Sequence, residues 1–92
     1  MTVKPVIDAA KSGNHVEIDW GWQGNRAFLQ GIRIEVDRGD GIWRLLTIDT
    51  TPGYNDTEAL PATTTKWKYR AIYLVDDQQV GEWSQTAEAT VG

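Results

Sequence analysis

The chain has no cysteine, one methionine, one histidine and three prolines in 92 residues. Without cysteine there can be no disulfide, zinc ribbon, iron–sulfur cluster or thiol nucleophile, and the redox compartment stays open. The single histidine, His15, follows Asn14 at the start of a strand-like segment. A nucleophilic triad needs a base beside its nucleophile, and the sequence has no G-x-S-x-G segment to supply one. His15 reads as an exposed strand-end residue. Positive charge is short too: 9 Lys+Arg against 13 Asp+Glu give a net charge of −4. Phosphate recognition needs clustered basic side chains, so the balance argues against a nucleic-acid partner. No apolar run approaches the ~20 residues of a membrane-spanning helix, and no membrane insertion is expected. Met1-Thr2-Val3-Lys4-Pro5 is not followed by the apolar core of a signal peptide. The D-x-[DN]-x-[DN]-G pattern of a calcium loop is absent, and no metal or other cofactor is expected.

What is present is a two-residue rhythm. Val16-Glu17-Ile18-Asp19-Trp20 alternates strictly, as do Ile32-Arg33-Ile34-Glu35-Val36-Asp37 and Trp67-Lys68-Tyr69-Arg70-Ala71. Successive side chains on a strand point to opposite faces, so each segment reads as a strand with one wet face. No stretch of ten or more residues carries a 3.6-residue period. Lys11-Ser12-Gly13-Asn14, Gly21 to Gly31, Arg38-Gly39-Asp40-Gly41, Pro52-Gly53, Leu60-Pro61-Ala62 and Asp76-Asp77-Gln78-Gln79 punctuate the pattern. The expected strands are about 3–10, 15–22, 31–37, 42–49, 54–58, 65–75 and 80–91. They imply one all-β domain over residues 1–92, a seven-stranded antiparallel immunoglobulin-like sandwich.

The same residues resemble a fibronectin type III domain over nearly the whole length. Trp20 on the second strand, Ile32-Arg33-Ile34-Glu35-Val36 on the third, Tyr54 and the Leu60-Pro61 corner carry the likeness. Trp67-Lys68-Tyr69-Arg70-Ala71-Ile72-Tyr73 matches the family's sixth strand, and Gly81-Glu82-Trp83-Ser84 the opening of its seventh. The tyrosine-corner position holds Trp67, which predicts loss of the phenolic corner hydrogen bond. Tyr73 stands where the family has Ala, so its ring needs room in the core or at its end. The wording also resembles fibronectin-like modules of large bacterial proteins. The likeness implies a non-catalytic module of a larger, bacterial protein, serving as a spacer or protein-interaction domain. Its partners would be other domains of the parent or another protein, and the module itself would be a monomer. The strand pattern runs to both ends, as in a domain excised from a longer chain.

Candidate sites are few. Arg38-Gly39-Asp40 spells the tripeptide by which some members of the resembled family bind integrins, but here it occupies a short turn whose glycines the turn itself needs. The carboxylates fall on strand faces and turns, without the facing pair across a cleft that glycoside hydrolysis uses. Lys66, Lys68 and Arg70 line one face, opposite the outward Arg33, Glu35 and Asp37, so cross-strand pairing can satisfy them. The five Trp are the informative group. Trp20 and Trp67 belong to the core and its corner. On the fourth strand either Trp43 and Leu45 or Leu46 and Ile48 face inward. Trp83 is placed over the outward face near Arg70, where an indole and a guanidinium can stack. Trp22, Trp43, Trp83 and Arg70 are therefore the candidate binding surface. The alternative function is a small carbohydrate-binding module using exposed Trp side chains.

Overall fold

The computed structural model describes residues 3–92. Eight strands are formed by the described residues: β1 (Ile7–Ser12), β2 (His15–Trp20), β3 (Gly31–Asp37), β4 (Arg44–Asp49), β5 (Tyr54–Asp56), β6 (Thr65–Val75), β7 (Gln78–Val80) and β8 (Ala87–Val91). A single 3-10 turn, Arg26–Phe28, lies in the loop after β2. All pairings are antiparallel. One sheet has the order β1-β2-β5; the other runs β4-β3-β6, with both β7 and β8 on β6.

The two-residue rhythm becomes the core directly. Val16, Ile18 and Trp20 of β2 face Ile32, Ile34 and Val36 of β3 and Trp67, Tyr69, Ala71 and Tyr73 of β6, all buried. Each fully buried Val or Ile contributes about 1.5–3 kcal/mol relative to an exposed one. Polar tips stitch the layers together. The Trp20 indole N–H donates to Asp49 Oδ2 across the sheets, at 3.0 Å. The Tyr73 ring fits inside the core end, and its hydroxyl donates to the Gly21 carbonyl.

Two expectations on strand layout are corrected. The first strand begins at Ile7 rather than Val3, because Pro5 lacks the N–H that a ladder requires. Val3 is still buried, and its carbonyl accepts the Glu82 N–H at 2.9 Å. The segment expected as one strand, 80–91, is instead two. Tyr73 opposes Val80 and Tyr69 opposes Ala87, so four steps along β6 correspond to seven along this edge. The excess residues loop outward from Gly81, whose φ of +76° brings it against the Val3 carbonyl where a Cβ would overlap. Ser84 closes the gap: its N–H donates to the Ala71 carbonyl (2.7 Å), and its Oγ accepts the Ala71 N–H (2.9 Å).

On β4 neither expected pattern holds. A β-bulge lies opposite Ile34/Glu35, so that Thr47 opposes Ile34 while Leu45 opposes Glu35. Leu46 packs against the core, and Leu45 and Ile48 both lie on the outer face, half exposed. An extra residue in one strand resets the alternation beyond it, which a fixed period of two cannot anticipate.

Candidate functional site

The outer face of the larger sheet is built around Glu35 and Arg70, directly opposed on β3 and β6. Alternation points Glu35 outward, yet it is only 8% exposed because other side chains cover it. Arg70 donates from Nε and Nη2 to Glu35 Oε1, at 2.9 and 2.7 Å. Arg33 donates from Nε to Glu35 Oε2 at 3.0 Å. One carboxylate thus holds two guanidinium groups. The Arg70 guanidinium also lies over the Trp83 ring, 4.3 Å from its centroid, and over the Trp43 ring at 4.5 Å. Trp43 comes from the turn entering β4 and Trp83 from the loop between β7 and β8. Each indole–guanidinium contact is worth roughly 0.5–1 kcal/mol at an exposed site. Leu45 and Ile48 extend this face towards the sheet edge.

The predicted surface residues therefore separate. Trp43, Trp83 and Arg70 are brought together, whereas Trp22 lies elsewhere. Trp22 packs edge-on to Trp20 at 4.8 Å and stacks on Tyr73 at 6.3 Å, capping one end of the core, with Arg26 over its ring at 4.9 Å. Along the rest of the stripe, Lys66 lies 3.7 Å from Glu88, and Lys68 opposes Asp37 and Glu88 on its two neighbouring strands.

A second arginine cluster lies inside. Arg38 donates from Nη1 and Nη2 to both oxygens of Asp56 on β5, at 3.0 and 3.1 Å, and stacks over Trp67 at 4.3 Å. The Tyr69 hydroxyl donates to Asp56 Oδ2 at 2.7 Å. A phenolic hydrogen bond is thus made from Tyr69, two residues beyond the position expected to lose it. Burial raises the Tyr69 pKa far above its ordinary value, reinforced by the hydrogen bond and charge of Asp56. Burial acts to lower the Arg38 pKa, but the hydrogen bonds and charge of Asp56 outweigh it, and the net shift is upward. Asp56 is only 2% exposed.

The Arg38-Gly39-Asp40 turn is internally bonded throughout. Arg38 serves Asp56, and the Gly39 and Gly41 N–H groups donate to Asp37 Oδ1 at 2.8 and 3.1 Å. Asp40 accepts from Arg44 at 2.8 Å and from the Ile42 N–H at 3.1 Å, which together hold its pKa below the ordinary carboxylate value. His15 lies at the start of β2, 3.4 Å from Glu17. Sequence reasoning missed Glu35 and Asp56 as organising anions. For Glu35 the available signal was charge, since it lies outward beside Arg33 and opposite Arg70; Asp56 meets Arg38 and Tyr69 only through the packing of the two sheets.

A recess of about 570 Å³ runs along the seam between the β1 and β8 edges and is lined by Val6, Ile7 and Asp8 on one side and Thr86 to Glu88 on the other. Among the described residues, no three His, Cys, Asp or Glu side chains converge in a manner that could hold a metal ion.

No protein-family model and no curated protein matches the sequence. Solved structures are similar in three dimensions. A Fn3-like protein from Clostridium thermocellum superposes with a TM-score of 0.73 at 17% identity, over 92% of this chain and 88% of that one. A pectate lyase from Pectobacterium carotovorum matches with a TM-score of 0.65 at 15% identity, over 94% of this chain but 26% of that one. A variant of FN3tt matches with a TM-score of 0.65 at 15% identity, over 95% and 90% of the two chains. With a three-stranded sheet packed on the β4-β3-β6 sheet and a split edge strand, this chain is a β-sandwich of the fibronectin type III fold.

Proposed function

We propose that the chain is a non-catalytic module of a larger bacterial protein, presenting the outer face of its larger sheet to a neighbouring domain or protein partner. The observation that carries this reading is Arg70 held between Trp43 and Trp83, with half-exposed Leu45 and Ile48 beside it. Trp and Arg dominate the energetics of protein interfaces, and side chains already fixed by internal contacts lose little entropy on binding. A spacer role draws support from the elongated shape of the domain. The longest dimension of the body is 42 Å, against 24 and 18 Å across it. The Fn3-like neighbour comes from a bacterium, and the pectate lyase carries the fold as one part of a longer chain.

Oxidative footprinting of tryptophan in the isolated domain and in the intact parent protein tests this. Protection of Trp43 and Trp83 in the parent is the expected result; equal labelling in both would remove the docking face. Turnover of a substrate by the isolated domain would contradict the non-catalytic reading.

The pectate lyase neighbour favours one second reading, the small carbohydrate-binding module. Tryptophan fluorescence titrated with polysaccharides, pectate included, decides it. Quenching that disappears in Trp43→Ala or Trp83→Ala supports sugar binding, and a flat titration ends it.

A further inference from the structure

The larger sheet ends at β4, whose outer edge has no partner strand and so presents unpaired N–H and C=O groups. Exposed apolar side chains gather there. Ile42, Leu45 and Ile48, at 54%, 50% and 51% exposure, are three of the five large hydrophobic residues so exposed among the described residues. This edge, Arg-Leu-Leu-Thr-Ile-Asp, carries neither Lys nor Pro; the devices that could blunt it are its bulge and the charges of Arg44 and Asp49.

The bulge gives this edge an unusual symmetry. Leu45 and Ile48 oppose Glu35 and Arg33 and so share the outer face; Arg44 and Asp49 oppose Val36 and Ile32 and so share the inner one. In a regular strand, residues three or five apart point to opposite faces. Here the extra residue reverses that and makes the strand self-complementary about a dyad between Leu46 and Thr47. An antiparallel second copy in this register sets Leu45 against Ile48 and Arg44 against Asp49, twice each. Neighbouring registers fail, because they oppose Arg44 to Ile48 or Leu45 to Asp49, residues of different faces.

We propose that the β4 edge pairs with the β4 edge of a second copy of this chain, joining the two larger sheets across a two-fold axis, in place of the monomer expected from the sequence. Arg44 is free to exchange, since its pair with Asp40 is exposed on both sides. Asp49 accepts one hydrogen bond on each oxygen, from Trp20 and from the Thr51 N–H, and each oxygen can accept another. The contact is small for a stable dimer, so association rises with concentration. It shares Leu45 and Ile48 with the proposed docking face but needs neither Trp43 nor Trp83, so loss of the indole contacts leaves it intact.

Sedimentation equilibrium of the 92-residue chain, with Leu45→Lys and Ile48→Lys as variants, gives the first test. The parent chain is expected to shift from monomer towards dimer with concentration, and each variant to bind at least about tenfold more weakly. Circular dichroism checks that both variants stay folded. The absence of cysteine supplies the second test, of register. Directly opposed strand residues lie about 4.5–5.5 Å apart at Cα, within disulfide reach, whereas Leu45 and Leu45 of two copies lie beyond it. Leu45→Cys mixed with Ile48→Cys should cross-link under mild oxidation several-fold more than either variant alone. A parent chain that stays monomeric at every concentration, or equal cross-linking in all three samples, would overturn the proposal and leave the edge to a strand of another protein.

Discussion

Arg38 and Arg70 are each bound by a carboxylate and stacked on tryptophan, but one joins the two sheets and the other decorates one of them. Arg38 leaves the end of β3, while its partner Asp56 belongs to β5 in the opposite sheet. Tyr69 reaches the same carboxylate from β6, so three strands meet at one buried anion. Arg70 and Glu35 are cross-strand neighbours within one sheet, and the indoles that cover them remain partly open to solvent. The same chemical parts therefore act as a clamp where they bridge layers and as a prepared surface where they lie on one. Both anions are buried, so what decides is whether anion and cation belong to one sheet or to two.

Substitution at the anion should separate the two most strongly. Asp56→Ala strands Arg38 and the Tyr69 hydroxyl, and breaking a buried pair costs 3–5 kcal/mol. Arg38 is a quarter exposed, which places the expected loss near about 3 kcal/mol. Urea denaturation measures it; a loss no greater than that of Glu35→Ala would erase the distinction between clamp and surface.

Tyr69→Phe comes next, with an expected cost of about 1.5–3 kcal/mol for a hydrogen bond to a charged group. It also carries a pH signature. The folded Tyr69 keeps its proton where an unfolded tyrosine, at its ordinary 10.0, has lost it. The unfolded state then binds fewer protons, so stability is intact below pH 10 and falls as pH rises beyond it. Tyr73, raised by burial as well, adds to the same slope. Unfolding followed across this range should be visibly flatter in Tyr69→Phe, and an unchanged slope would mean Asp56 does not hold the phenol.

Arg70→Lys is expected to cost about 1 kcal/mol, since an ammonium cannot reproduce the forked bond to Glu35 or stack on two rings. The tryptophan emission should change more than the stability does. A loss as large as that of Asp56→Ala would make the outer cluster a structural clamp too.

Most of the fold follows from alternation. Trp20, Trp67 and Tyr69 are buried because inward positions on β2 and β6 recur every second residue, and the same rule points Arg70 outward; Trp83 reaches it from the loop that opens with Gly81. Three features lay beyond it. The bulge at Leu46 is an inserted residue, and no periodicity encodes where an insertion falls. The split at Gly81 depends on Val3, distant in sequence, occupying the space beside it. Glu35 and Asp56 are buried by side chains from other strands, whereas the sequence around them, Arg33 and Asp37 on the face of Glu35 and Asn55 and Thr57 beside Asp56, advertises exposure. Nothing in the sequence distinguishes Trp22 from Trp43 and Trp83; only the packing of the two sheets, which sets Trp22 against Trp20 and Tyr73, separates them.

The smallest effect is expected at the turn between the clamp and the surface. Asp40 is exposed, and its bond to Arg44 at the start of β4 is an exposed pair, so Asp40→Asn should change the unfolding midpoint little at neutral pH. Its lowered pKa has a direction as well: any stabilisation is present above the ordinary carboxylate range and vanishes as pH falls through it. That makes Asp40 the position where stability and recognition separate cleanly. The conservative Asp40→Glu keeps the charge and the fold but lengthens the acidic arm of Arg38-Gly39-Asp40. Adhesion would also need the Arg38 guanidinium, which Asp56 and Trp67 already hold. Cell attachment to the immobilised domain should therefore be the same for the parent chain and Asp40→Glu. A drop confined to the variant would show that the turn can release Arg38, and would move it from the clamp to the surface.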